Sequence, residues 1–351
     1  MRVAYTSARG GRVPASGPRR APAARLLLLA TAGALILALL VVLSLAIGSR
    51  QLGLSETVHG LLAHDRSVAS IIVWQLRMPR TLLAIGAGAG LAVAGVVMQA
   101  LTRNPLAEPG ILGVNAGAAL AVVLSISLLG LTDVTGYLWF AFAGAAAAAG
   151  LVHLMAGRSG RAGPTRLILA GVALGASLGA ITGTITMRNT RVFDSYRFWV
   201  VGSLEGRGAE VLAWVAPFLV AGLVLAIASG HALNALALGE EQAAALGARI
   251  GAVRALVLVS ITLLCGATTA AIGPISFVGL VVPHVLRLLL GADQRRILAA
   301  SLVAGPALLL LADVVGRRLI WPDELEAGVV TAFLGGPVLL ALVLARPRGH
   351  A

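Results

Sequence analysis

The stretch TLLAIGAGAGLAVAGVVMQAL, residues 81–101, decides the fold. Its 21 residues carry no charge, and ten of them are glycine or alanine. An α-helix rises about 1.5 Å per residue, so a run of this length crosses the ~30 Å apolar layer of a bilayer. Such small residues let helix backbones approach closely, which predicts packing against other helices more than against lipid. Just before the run, VWQLRMPR (73–80) carries Arg77 and Arg80; just after it, LTRNPLAEPGILGVN (101–115) has two prolines that interrupt helix.

The same signal recurs along the chain. Ten apolar spans fit, at 26–47, 81–101, 111–130, 137–157, 166–187, 210–229, 253–271, 275–290, 297–316 and 327–345. The eighth is short and contains Pro283, which predicts tilting or partial unwinding. A chain that is 58% hydrophobic and 12% charged, with mean hydropathy +0.94, cannot hide its apolar surface in a soluble core. The predicted class is an all-α polytopic membrane protein, a ten-helix bundle. The net charge of +13 does not point to nucleic acid, because the arginines punctuate apolar segments instead of clustering on a soluble face.

All 27 basic residues are arginine. A phosphate-binding loop of the GxxxxGK[ST] kind needs its lysine, so this chain holds no ordinary ATP site. Catalysis finds no support either: there is no Ser-His-Asp set, no HExxH and no paired-cysteine motif. Cys265 stands alone, so no internal disulfide forms.

Residues 1–25 contain six arginines among Pro, Gly, Ala and Ser, and are expected to form a disordered basic cytoplasmic tail. The run Leu26–Ile47 is longer than a signal-peptide core and lacks a convincing small-x-small site after it, so an uncleaved first helix is expected. With the N-terminus inside, seventeen arginines fall inside and ten outside, in line with the positive-inside rule. Residues 26–345 form one transmembrane domain, and 346–351 return to the cytoplasm. Arg77 and Arg80 then lie on the outer face, where that rule disfavours arginine. Lipid phosphate, or ion pairs with Glu56 or Asp65, would be the plain explanation.

Other segments stand out. The inner stretch 233–251, LNALALGEEQAAALGARIG, reads as two short helices ended by Gly239 and Gly247. The outer stretch 189–210 is rich in aromatics, as an interfacial helix at headgroup level would be. His284 follows Pro283, which frees a backbone carbonyl; a structural hydrogen bond or a part in gating are the two readings. Asp313 is the only carboxylate in the interior of a predicted span (Glu210 stands at the first residue of its own), and an ion pair with Arg317, four residues on, is the plainer account. A proton-coupled carrier would need a chain of buried ionisable groups, and none is evident.

These residues carry a resemblance. LRMPRTLLAIGAGAGLAVAGVVMQALTRNPLAEPGILGVNAGAAL (76–120) resembles the signature of permeases of iron–siderophore ABC importers, a family that includes the vitamin B12 permease. LNALALGEEQAAALG (233–247), AAIGPISFVGLVVPHVLRLLLGADQRRIL (270–298), LADVVGR (311–317) and ELEAGVVTAFLGGPVLLALV (324–343) continue it in order. The resemblance covers roughly 70–345, about four fifths of the chain.

It implies a type II importer in the cytoplasmic (inner) membrane of the cell. Two permease subunits, identical or related, would surround a pathway, with an ABC ATPase dimer carrying ATP and Mg inside and an extracytoplasmic siderophore-binding protein outside. The chain itself would hold no cofactor. The resemblance further implies that Arg77, Arg80 and Arg317 receive acidic residues of the docked binding protein, since a guanidinium grips a carboxylate with two bonds. It implies that 233–251 is the ATPase coupling loop, with Leu238, Gly239, Glu240, Glu241, Leu246 and Gly247 at the contact. The stretch VFDSYRFWVVGSLEG (192–206) looks more like the siderophore branch than the haem or cobalamin branches. An ion-coupled secondary transporter is the reading from a different class.

Overall fold

The computed structural model describes residues 23–344 apart from 49, 51, 64, 157–163, 246 and 248. The basic segment before Ala23, the residues from 345 on, and Leu246 lie outside the described residues. The helices in chain order are α1 (Ala23–Ala46), α2 (Leu54–Ala63), α3 (Val68–Ile71), α4 (Met78–Thr102), α5 (Val114–Leu129), α6 (Val134–Ala156), α7 (Pro164–Arg188) and α8 (Thr190–Val200). They continue as α9 (Ala209–Ala228), α10 (Gly230–Leu238), α11 (Glu240–Ala245), α12 (Ile250–Ile272), α13 (Val278–Leu290), α14 (Gln294–Leu319) and α15 (Ala327–Leu344).

The ten apolar stretches lie on α1, α4, α5, α6, α7, α9, α12, α13, α14 and α15. Seven helices among the described residues are long and apolar enough to cross a membrane; α5, α13 and most of α15 are shorter apolar helices.

Helix α4 forms the centre, packed by α9, α12, α13 and α14. Its glycines explain how. A Cβ added to Gly88 would sit 2.7 Å from the Gly305 carbonyl oxygen of α14, and one added to Gly95 would fall on the Gly279 carbonyl of α13. Gly117 of α5 and Gly144 of α6 meet the same way. Backbones thus touch where side chains would hold them apart, and the gain is van der Waals contact along the crossing. Val93, Val96, Val97 and Met98 complete a fully buried α4 face.

Two helix irregularities have identifiable causes. The stretch 73–80 was expected to lie in an outer connection before the span at 81; instead it is helical, within one continuous helix from Val68 to Thr102. Residues Ile72–Arg77 form a wide π turn, closed by the Met78 N–H donating to the Val73 carbonyl. Pro79 has no N–H to offer the preceding turn, and the widened turn absorbs the defect. Pro283 likewise leaves the Gly279 carbonyl of α13 without its helical donor. Gln99 of α4 supplies one: its Nε2 donates to the Gly279 and Leu280 oxygens at 3.4 and 3.3 Å. Its Oε1 accepts from both terminal nitrogens of Arg287 at 3.1 Å. Helix α13 is therefore continuous through its proline, and short instead of unwound.

The start of α13 is also fixed from outside. Phe277 has φ 70°, a left-handed conformation that a bulky residue rarely adopts, and its N–H donates to Glu108 Oε1 at 3.1 Å. The aromatic segment forms α8, an amphipathic helix with most of its residues exposed. Val192 and Trp199 face inward and are buried, while Phe193 and Phe198 point away. Asn189 caps its start, accepting from the Arg191 and Val192 N–H groups.

Candidate functional site

The end of the bundle expected to face outward holds a cluster of three arginines, two carboxylates and the terminus of α1. An α-helix leaves its last carbonyls without donors and carries partial negative charge there. Arg77 answers both needs. Its Nη1 donates to the Leu45 and Ala46 oxygens at 2.7 and 2.8 Å, and its Nη2 to the Arg50 oxygen at 2.6 Å. Arg317 of α14 reaches the same helix end, donating to the Ser44 and Ile47 oxygens at 2.8 and 2.9 Å. Ser44 Oγ in turn bonds Thr81 Oγ1 of α4 at 2.8 Å.

Arg80 faces the other way. Its Nε and Nη2 donate to Asp313 Oδ1 at 3.1 and 2.7 Å, and its Nη1 to Glu324 Oε2 at 2.7 Å. Asp313 also pairs with Arg317 through its second oxygen, so one carboxylate is shared between two guanidinium groups. Asp313 and Arg317 are each 1% exposed. Charges that deep are tolerated because nearly every donor and acceptor is matched, and deleting one partner of such a pair costs about 3–5 kcal/mol.

The expectation of an Asp313–Arg317 pair matches this geometry, which adds Arg80 and Glu324 to it. The alternative partners proposed for Arg77 and Arg80 are engaged elsewhere: Asp65 bonds His59 and Ser67, and Glu56 accepts the Gly53 N–H. Arg77 and Arg317 are turned inward, and Arg80 is the most accessible of the three, its side chain 14% exposed. Above the cluster opens a cavity of about 580 Å³. Five arginines line it (Arg50, Arg77, Arg80, Arg207 and Arg317) against Glu205 and Glu324. A recess with that excess of guanidinium groups suits a carboxylate.

At the opposite end, the inner segment folds as the two short helices α10 and α11. Gly239 joins them with φ 125° and ψ 154°, and Gly247 has φ 84°. Both values lie where only glycine is at ease, so these residues set the angle of the hairpin. Glu241 is exposed. The backbones of Leu238 and Glu240 are placed at the α10 C-terminus and α11 N-terminus. Asp293, which caps α14, is held below the usual carboxylate range chiefly by the hydrogen bond from Asn234, with help from the Arg295 N–H.

His284 lies half-buried in α13, next to Pro283, and the carbonyl that proline frees is served by Gln99. Gln99, Glu108, Asn234 and Glu324 are site or joint residues that sequence reasoning did not single out. Pro283 was the one available signal, and it pointed to Gln99 only as an unnamed donor. Among the described residues no group of three His, Cys, Asp or Glu could hold a metal ion.

Comparison with known proteins places this architecture. The model of the FecCD transport family matches residues 36–345. The chain is 46% identical over 319 residues to the ferric enterobactin transport system permease protein FepD of Escherichia coli (strain K12), covering 90% of this chain and 95% of that one. It is 43% identical over 282 residues to the vitamin B12 import system permease protein BtuC of Yersinia enterocolitica, covering 78% and 82%. A solved structure described as an inward-facing conformation of a metal-chelate type ABC transporter matches with a TM-score of 0.79 at 29% identity, covering 91% of this chain and 99% of that one. The chain thus belongs to the FecCD transport family: it is a multi-pass membrane permease subunit of an ABC transporter, and not itself an enzyme.

Proposed function

We propose that this permease belongs to an ATP-driven importer of ferric siderophores in the cytoplasmic membrane, with both chain termini inside. The observation that carries the substrate class is the 46% identity to a ferric enterobactin permease along 90% of the chain. A cobalamin importer is the second reading, favoured by the 43% identity to a vitamin B12 permease over a shorter stretch. Energy comes from a separate ATPase dimer that binds ATP and Mg, because this chain has no lysine for a phosphate loop.

An extracytoplasmic binding protein delivers the substrate, docking its acidic residues over the cavity lined by Arg77, Arg80 and Arg317. Arg80, the most accessible of the three, offers an entering carboxylate a guanidinium held in fixed orientation by Asp313 and Glu324, while Arg77 and Arg317 add positive charge from behind it. Arg50 and Arg207 widen the positive rim. On the inner side, α10 and α11 seat in the ATPase, with Leu238 and Leu246 as apolar anchors, Glu240 and Glu241 at the rim, and Gly239 and Gly247 fixing the bend. A second permease subunit completes the pathway. Supporting it, α7 leaves Gly175, Gly179 and Gly183 open to close approach: among the described residues no other helix comes within 4 Å of an added Cβ.

The substrate experiment reconstitutes the permease with its ATPase and binding protein in vesicles. Ferric siderophore, haem and cobalamin are offered separately, each with iron or cobalt counted inside. Accumulation of the siderophore iron is expected; accumulation of cobalamin alone would select the second reading.

A further inference from the structure

Helix α10 is tied across the chain, and not only to its neighbour α9. Leu233 and Leu236 are buried in the bundle core. Between them Asn234 reaches the start of α14: its Nδ2 donates to Asp293 Oδ1 at 2.9 Å, and its Oδ1 accepts the Gln294 N–H at 2.8 Å. One α10 side chain therefore satisfies an orphan donor of α14 and holds the carboxylate that caps it. The contact is close, for a Cβ on Gly230 would stand 3.2 Å from Arg295 Cγ and 3.4 Å from Leu298 Cδ1.

Helix α14 is 26 residues long, and its path from Gln294 to the arginine cluster at Asp313 and Arg317 is about 29–35 Å. Its proline, Pro306, is braced by the backbone contact at Gly88 of α4. Asp313 and Arg317, near its far end, hold Arg80 and the terminus of α1. The same rigid helix is gripped at one end by the inner segment and at the other by the outer cluster.

We propose that Asn234 is the positioning residue that joins α10 to α14, so that a displacement of the inner segment is passed along α14 to the Asp313–Arg317 cluster. The inference rests on the proposed function for what moves α10 and what docks outside, but the joint itself is a property of this chain. Helices move as packed rigid bodies, and coupling between two sites is reciprocal: an occupied outer cluster biases α10 as much as α10 biases the cluster.

The test uses a charge swap. Asn234→Asp keeps an acceptor for the Gln294 N–H but sets a carboxylate against Asp293. Asp293→Asn added to it restores a donor between the two positions while keeping the cap. In the full-length permease in nanodiscs, hydrogen exchange is followed at the first turn of α14, at its turns around Asp313–Arg317, and on α6 as a control. Asn234→Asp is expected to speed exchange at both ends of α14, leave α6 unchanged, and revert in the double variant. A change confined to the first turn, or no recovery in the double variant, overturns the joint. In the assembled transporter, binding-protein stimulation of ATP hydrolysis is expected to fall about five- to tenfold in Asn234→Asp and to recover in the double variant. Stimulation equal to wild type in Asn234→Asp would also overturn it. Recovery of exchange in a permease that binds neither partner would leave the joint standing and remove the proposed function.

Discussion

Arg77 separates two roles that sequence alone had merged. Its guanidinium bonds two backbone oxygens at the end of α1 and a third, that of Arg50, just beyond it, at 2.6–2.8 Å. A hydrogen bond from a charged group contributes about 1.5–3 kcal/mol net. Three on one guanidinium are not additive, and its own desolvation cost is recovered on deletion, so Arg77→Met is expected to destabilise the end of α1 by about 2–4 kcal/mol. Lysine carries the same charge on a single point and cannot span three carbonyls, so Arg77→Lys is expected to lose about half of that. Hydrogen exchange of the last two turns of α1 reads this locally, and 2 kcal/mol corresponds to about thirtyfold faster opening. Exchange in Arg77→Met close to that of the wild type would refute the capping role. Wild-type behaviour of Arg77→Lys would show that charge, and not the fork, is what the site requires.

Other expectations follow from the same contacts. Gln99→Leu keeps the volume but leaves the Gly279 and Leu280 carbonyls and Arg287 without their partner; a loss of about 2–4 kcal/mol is expected, seen as earlier thermal inactivation, and an unchanged midpoint would contradict it. Gly305→Val drives a branched side chain into the Gly88 backbone, and failure to accumulate in the membrane is expected, whereas normal accumulation would show that α4 and α14 can separate. Asp293 is a carboxyl lowered in the folded state, so its contribution is complete above its ordinary value of about 3.9 and is lost as pH falls through the lower native value. Protection at the start of α14, corrected for the intrinsic pH dependence of amide exchange, is expected to stay flat from pH 7 to about 4 and to fall only below it; a step near pH 6 would assign the acid sensitivity elsewhere.

The spans were legible because apolar length is a local signal: each helix announces itself without reference to the others. The crossing points were partly legible, since glycine-rich faces such as 84–95 mark where backbones meet, though not which helix meets which. The partners of the polar groups were not. Arg80 and Asp313 are 233 residues apart, Gln99 and the Leu280 carbonyl 181, and Asn234 and Asp293 59. No spacing rule connects such pairs. Arg77 shows the consequence: its place against the positive-inside rule was visible, but the orphan carbonyls of α1 that it serves emerge only once α1 and α4 stand side by side. The π turn at 72–77 has its cue in Pro79, just before the apolar run that starts at 81.

The most direct measurement of the central claim is uptake into vesicles under two energy sources. The permease, its ATPase and its binding protein are reconstituted together, and ferric siderophore accumulation is followed with internal ATP or with an imposed proton or sodium gradient. The account predicts accumulation with ATP that stops when either partner is omitted, and none with the gradient alone. Gradient-driven accumulation by this chain without an ATPase would contradict it.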